Sequence, residues 1–229
     1  MKKLLLIALA LLLICPVVLA ESALEVTEKR VVRQVEDGTA EVNIYMQVKN
    51  TGSVPVGLDA ADICFYSAEN ELLVESSAYT MIPPVLQPGE TGYIEGWEYL
   101  DAAEAQKLHT YTIHVQSTVH YLPAVTLLAH QSSYIEVETD WGAEHFITYA
   151  IENTGDTELW EMNVAYVLRD ADGRIIDFDY TGIYDTGIAP GGTLLYRMEL
   201  NSGDIEKWQE KGYELGVIET YVYLEEDVF

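Results

Sequence analysis

The feature that most constrains this chain is that it reads nearly twice. "YMQVKNTGSVPV" (45–56) recurs as "TYAIENTGDTEL" (148–159), which places Asn50-Thr51-Gly52 over Asn153-Thr154-Gly155. Further on, "PVLQPGETGYI" (84–94) recurs as "TGIAPGGTLLY" (186–196), which places Pro88-Gly89 over Pro190-Gly191. The final segments align as well, with Ile113, Val115, Val119 and Tyr121 falling on Leu215, Val217, Tyr221 and Tyr223. Landmarks recurring in one order at a nearly fixed spacing mark a repeated structural unit. The repeat is about 102 residues long, which is the size of one small domain.

Each copy reads as strands. "AEVNIYMQVKN" alternates through Val42, Ile44, Met46 and Val48 and stops at a turn-forming Asn-Thr-Gly. "HFITYAIEN" is apolar on both faces, as a strand covered on two sides must be. "DICFYS" and "NVAYVLRD" follow, then a turn, then "ELLVES" and "RIIDFD", and a further strand after the Pro-Gly turn. One short helical piece precedes the last strand of each copy: "DAAEAQKL" (101–108), opening on an Asp-x-x-Glu capping pattern, and "DIEKWQEK" (204–211). About seven short strands per copy predict an all-β chain of two tandem immunoglobulin-like antiparallel β-sandwiches. The boundaries are 1–20 for a signal peptide, 21–122 for the first sandwich and 123–229 for the second. Pro123 stiffens the short joint "YLPAVT", so the two halves are expected to pack together or move little.

The order Asn-Thr-Gly, an aromatic strand ending in Asp-x-x-Gly, and a Pro-Gly turn resembles the FxLYD-type domains of exported bacterial proteins. In the second copy Tyr166, Leu168 and Asp170 match that motif, while Arg169 stands in place of its tyrosine. In the first copy Ile63, Phe65 and Tyr66 match, and Ser67 replaces the aspartate. The resemblance implies an immunoglobulin-like module of the cell envelope and carries over no catalytic residue.

The N-terminus points to export. Lys2 and Lys3 precede an apolar run from Leu4, and Val18 and Ala20 supply the small residues of a cleavage site after Ala20. Two alternatives stay open. The run is long enough to remain as an uncut anchor, and "LLIC" offers Cys15 for lipidation, although Ile14 is bulky for that processing. Cleavage would leave a soluble chain with no membrane span. It would also remove Lys2 and Lys3 but none of the 38 acidic residues, moving the formal charge from −26 to −28. Such a charge repels phosphate backbones, so nucleic acid is not an expected partner. Cys64 would then be the lone cysteine, unable to form an internal disulfide, and a packed thiol is its expected role.

Little else has the spacing of chemistry. The five histidines show no HExxH pattern, and His114 and His120 stand too far apart along one strand to share a metal. No GxSxG elbow is present, and "PGGT" opens no helix that would bind phosphate. The chain is therefore expected not to be an enzyme. Within "VLRDADGRIIDFDYTG" (167–182), Asp170, Asp172 and Asp179 fall on ligand positions of a calcium loop when Gly173 is set at its turn. However, Leu168 occupies the first ligand position and strands flank the loop. The twin segment "YSAENELLVES" keeps Asn70 opposite Gly173 but not the carboxylates, so a hairpin turn accounts for both copies. Of the four tryptophans, Trp141 and Trp160 follow turn-like segments and are the candidates for a ligand face, against a plain packing role. The function expected is a non-catalytic binding or structural module that contacts an envelope protein or a glycan. The alternative is a calcium-dependent adhesion module built on Asp170, Asp172 and Asp179.

Overall fold

The computed structural model describes residues 23–36, 39–119, 125–140, 142–200, 205 and 208–225. The proposed signal peptide and Trp141 lie outside the described residues, as does most of the proposed joint. In chain order the first elements are β1 (Leu24–Glu36), β2 (Thr39–Asn50), β3 (Val56–Ser67), β4 (Leu72–Ala78), β5 (Met81–Ile82) and β6 (Val85–Leu86). They are followed by β7 (Thr91–Asp101), α1 (Ala102–Lys107) and β8 (Leu108–Val119). Then come β9 (Val125–Leu127), β10 (His130–Thr139), β11 (Gly142–Glu152), β12 (Met162–Asp170), β13 (Ile175–Ile183), β14 (Thr193–Leu200) and β15 (Leu215–Glu225). The fold is all-β and sandwich-like, as expected, and every strand pairing described is antiparallel.

Period-two alternation decides how the sheets stack. The first sheet runs β1-β2-β7-β5, and the second is built on β3, flanked by β4 and β8, with β6 beside its start. Between them Val42, Ile44, Met46 and Val48 of β2 meet Ala61, Ile63 and Phe65 of β3 in one dry core. The third sheet, β10-β11-β14, faces the fourth, β13-β12-β15-β9, across a core of Ile147, Tyr149, Ile151, Val164, Tyr166 and Leu168. Each fully buried aliphatic or aromatic side chain in such a core contributes about 1.5–3 kcal/mol. The short helices sit where the sequence places them. Asp101 caps α1 by accepting a hydrogen bond from the Glu104 N–H at 2.7 Å. In the second half, Ile205 and Trp208 are helical, buried and part of the core.

The two repeated turns prove to be one device. Asn50 is fully buried and its Nδ2 donates to the carbonyls of Val54 and Leu86, while its Oδ1 accepts from Gly52 N–H. Asn153 does the same with Thr157, Ile188 and Gly155. The backbone N–H of Gly89, which has φ of 87°, donates to the Asn50 carbonyl; that of Gly191, at φ 72°, donates to the Asn153 carbonyl. Asn-Thr-Gly and Pro-Gly therefore recur together because they touch, and the glycine is needed where the chain turns left-handed. The same holds at the hairpins. Asn70 and Gly173 both have positive φ, and each follows a bulge at the end of its strand, between Phe65 and Tyr66 or between Leu168 and Arg169.

The last strand departs from the alignment read in the sequence. Ile63 lies opposite Ile113 on β8, whereas its counterpart Tyr166 lies opposite Thr220 on β15. The inward residues of β15 are consequently Ile218, Val222 and Leu224, and Leu215 and Val217 are exposed. Pairing to β12 rather than spacing from the Pro-Gly turn sets the register of β15.

A third core packs the two halves together, as the short joint leads one to expect. Val32, Tyr45, Ile82 and Tyr93 from the first sheet pack against Ala165, Val167, Ile175, Phe178 and Tyr223 from the fourth. These two sheets are thus covered on both faces, which is why every residue of β12 is buried. The polypeptide thus stacks four sheets, with the third core packed between the first and the fourth.

Candidate functional site

Along β7, Tyr93, Glu95, Trp97 and Tyr99 share one face, opposite Gln47, Tyr45, Asn43 and Glu41 of β2. This is the face that meets the second half. Tyr93 is buried in the third core, but the strand then runs beyond the cover that β13 provides. Trp97 and Tyr99 emerge 57% and 58% exposed, packed edge to face with ring centroids 5.4 Å apart. Where β7 leaves the core a cleft of about 360 Å³ opens, walled by Ser76, Ser77, Tyr79 and Thr80 on one side and by Phe178 and Tyr180 of β13 on the other. Glu95, Gly96 and Trp97 line it from β7. Gly96 has a packing reason: a Cβ there would lie 2.3 Å from Ile63 Cδ1 and would push that side chain from its place in the first core beneath the cleft. Tyr79 is 71% exposed, and Tyr180 stacks on Phe178 at 6.3 Å.

The electrostatics of the cleft are one-sided. Burial, together with the carboxylates of Asp177, Asp179 and Glu41, pushes Glu95 up to about 8. Asp177 accepts hydrogen bonds from the Tyr45 and Tyr166 hydroxyls at 3.2 and 3.0 Å, one from each half. Asp179 reaches the surface, yet the atoms packed around its carboxyl raise its pKa as well. None of the described lining residues is Lys, Arg or His.

Beside the cleft, where Tyr93 enters the third core, a hydrogen-bonded clamp around Arg169 ties the two halves together. Arg169 is buried and donates from Nε to Glu219 at 2.5 Å, from Nη1 to Glu28 at 2.6 Å and from Nη2 to the Tyr93 hydroxyl at 3.2 Å. Tyr93 in turn donates to Glu219 at 2.6 Å. Burial alone would lower the pKa of Arg169, but hydrogen bonds to Glu28 and Glu219 outweigh it and hold the guanidinium charged. Glu28 also accepts from Ile175 N–H, and Arg30 donates to the Ile175 carbonyl at 2.6 Å. Charge-assisted bonds of this kind are short and directional, and here five of them cross between the halves.

The aspartates of the calcium reading are not brought together. Asp170 is only 3% exposed, and its Oδ1 accepts from the N–H groups of Asp172 and Arg174 at 3.1 and 2.9 Å. Its Oδ2 accepts from Arg174 Nε at 2.9 Å. Burial would raise its pKa, but the Arg174 backbone and guanidinium outweigh burial and lower it. In the twin hairpin Ser67 Oγ accepts from the N–H groups of Glu69 and Glu71, so Asp170 and Ser67 share one turn-closing role. Asp172 is exposed and paired with Arg174, while Asp179 lies far along β13 beside the cleft. Among the described residues no group of three or more His, Cys, Asp or Glu has a metal-binding arrangement. Trp160 is 49% exposed, with its ring laid over Gly187, where a Cβ would come within 2.6 Å of it. It stands away from the cleft.

No protein-family model matches this chain, and no curated protein sequence matches it. Two solved structures are similar in part. One is a transglutaminase from red sea bream, at 11% identity and TM-score 0.25, covering 88% of this chain and 30% of that one. The other is the C-terminal globular domain of an oligosaccharyltransferase from Pyrococcus abyssi, at 11% identity and TM-score 0.15, covering 90% of this chain and 48% of that one. This chain spans less than half the length of either.

The residues that build the cleft and its clamp were not singled out from the sequence. Turn-like surroundings in the sequence favour Trp141 and Trp160 over Trp97 as exposed rings. The available signal was alternation in "GYIEGWEYL", where one face carries three aromatics and an acid and the other carries Ile94, Gly96 and Leu100. Arg169 was noted only as a departure from a motif. Nothing local indicated that Glu28 and Glu219, 141 and 50 residues away, would meet it.

Proposed function

We propose that this chain is an exported, non-catalytic binding module of the cell envelope that takes its ligand in the cleft between β4, β7 and β13. The observation that carries this reading is the group of exposed rings Tyr79, Trp97 and Tyr180 lining one cleft between the halves, with Tyr99 packed on Trp97 beside it. Exposed aromatic groups gathered in this way mark ligand or partner sites. The rings cost little entropy to hold, because Trp97 braces Tyr99 and Phe178 braces Tyr180. The Arg169 clamp keeps the two walls at a fixed separation, so binding requires little reorganisation. Export is supported by the basic start, the apolar run and the small residues Val18 and Ala20. The test is a titration of isotope-labelled protein with envelope-derived oligosaccharides and short peptides. The indole N–H signal of Trp97 should move saturably, that of Trp160 should stay, Trp97→Ala should abolish binding, and the ligand should be recovered chemically unchanged. A panel that leaves the Trp97 signal in place throughout would refute the reading.

A further inference from the structure

Resting on the binding role just proposed, we propose that the cleft seats a positively charged side chain, an arginine or lysine on a basic segment of a partner protein. The argument is one of complementarity. The cleft is lined by the rings of Tyr79, Trp97 and Tyr180 and by the acids Glu95 and Glu98, with no lysine, arginine or histidine among the described lining residues. Ring faces attract cations because of their quadrupole, and the attraction grows where water is excluded. Among the described residues, the carboxylates of Glu41 on β2 and of Asp177 and Asp179 on β13 bear on Glu95, and the hydroxyls of Tyr45 on β2 and Tyr166 on β12 meet Asp177. A guanidinium entering from solvent would meet the rings lining the cleft and offset the negative charge that bears on Glu95. A neutral sugar would not. The protein uses the same chemistry within its own fold, where Arg30 lies 4.3 Å over Tyr213 and Arg197 lies 4.1 Å over Phe146. The chain's formal charge of −26 would further draw a basic partner in by long-range steering.

Glu95 gives the proposal a signed consequence. With its carboxyl held at about 8 in the empty cleft, pairing with a cation requires it to release a proton. Affinity for a cation should therefore rise with pH up to about 8, by as much as about tenfold per unit, and level off above it. A neutral ligand that accepts a hydrogen bond from protonated Glu95 would weaken over the same range.

The experiment uses two blocked tripeptides, Gly-Arg-Gly and its citrulline counterpart, a neutral isostere of arginine, with chitotriose as the neutral sugar. Each is titrated against the full chain while the Trp97 indole signal is followed at pH 6, 7, 8 and 9. The expected result is binding of the arginine peptide that tightens up to pH 8, with the citrulline peptide weaker by at least about tenfold. Glu95→Gln, a near-isosteric change, should weaken the arginine peptide and flatten its pH profile. Equal binding of the two peptides, or affinity that falls with pH, overturns the assignment of charge. Chitotriose moving Trp97 while the arginine peptide does not also overturns it, and leaves the cleft standing as a binding site. If no probe moves Trp97, both readings fall.

Discussion

Replacing Glu95 by glutamine should change how stability depends on pH more than it changes the fold. An ordinary glutamate titrates near 4.5, and Glu95 is pushed up to about 8 by burial and by Asp177, Asp179 and Glu41. Below pH 4.5 the carboxyl is protonated in folded and unfolded chains alike and costs nothing. Between 4.5 and 8 the unfolded chain gives up the proton while the folded chain keeps it, so stability falls as pH rises. Above 8 both are ionised and the penalty is constant. Each pKa unit is worth about 1.4 kcal/mol, which sets a ceiling of about 5 kcal/mol for a carboxyl cut off from water. Glu95 opens onto a solvated cleft, so a working figure is about 2–3 kcal/mol. Urea unfolding of wild type and Glu95→Gln at pH 5, 7 and 9 measures it directly, since urea adds no ionic screening. The two proteins should be nearly equal at pH 5, and the variant should be more stable by about 2–3 kcal/mol at pH 9. Taking the difference cancels other titrating groups, such as Asp170 and Glu219, whose lowered pKa values act in the opposite direction. A gap between the curves that stays constant from pH 5 to 9 would refute the reasoning.

Further outcomes follow from the same contacts. Arg169→Ala leaves Glu28 and Glu219 without their buried cation and should cost about 3–5 kcal/mol in urea unfolding at neutral pH; a loss below about 1 kcal/mol would mean the clamp is ornamental. Asn153→Ala removes three hydrogen bonds from a buried site and should cost about 2–4 kcal/mol, with Asn50→Ala similar because its bonds are the same. At the hairpin, Asp170→Ser should be tolerated better than Asp170→Ala, since Ser67 already closes the twin turn; equal loss in the two variants would contradict this. Millimolar calcium should leave the melting midpoint unchanged, because the Asp170 carboxylate is held by Arg174, and a rise that Asp172→Ala abolishes would restore the calcium reading.

Much of the fold could be read locally. Val42, Ile44, Met46 and Val48 announced a strand with one dry face, and Asp101 with Glu104 announced a capped helix. The comparison of Gly173 with Asn70 was enough to favour a hairpin over a metal loop, because only the backbone requirement was common to both copies. The register of β15 was misread because pattern repeats survive a shift of residues. Leu215 and Val217 look as inward as Ile113 and Val115 until the pairing partner is known. The cleft was missed because its walls come from β4, β7 and β13, and exposure of Trp97 depends on where β13 stops covering β7.

What the amino-acid order settles by itself is therefore the set of short-range choices: strand or turn, which residue bears a positive φ, and which asparagine closes a loop. These rest on steric and hydrogen-bonding preferences that act over a few residues. The tertiary structure alone decides that Arg169 meets Glu28 and Glu219, that β12 is buried on both faces, and that Asp177, Asp179 and Glu41 bear on Glu95. Those outcomes come from packing two sheets that are far apart along the chain. Burial and charge at a point in space are sums over neighbours that no window of sequence contains.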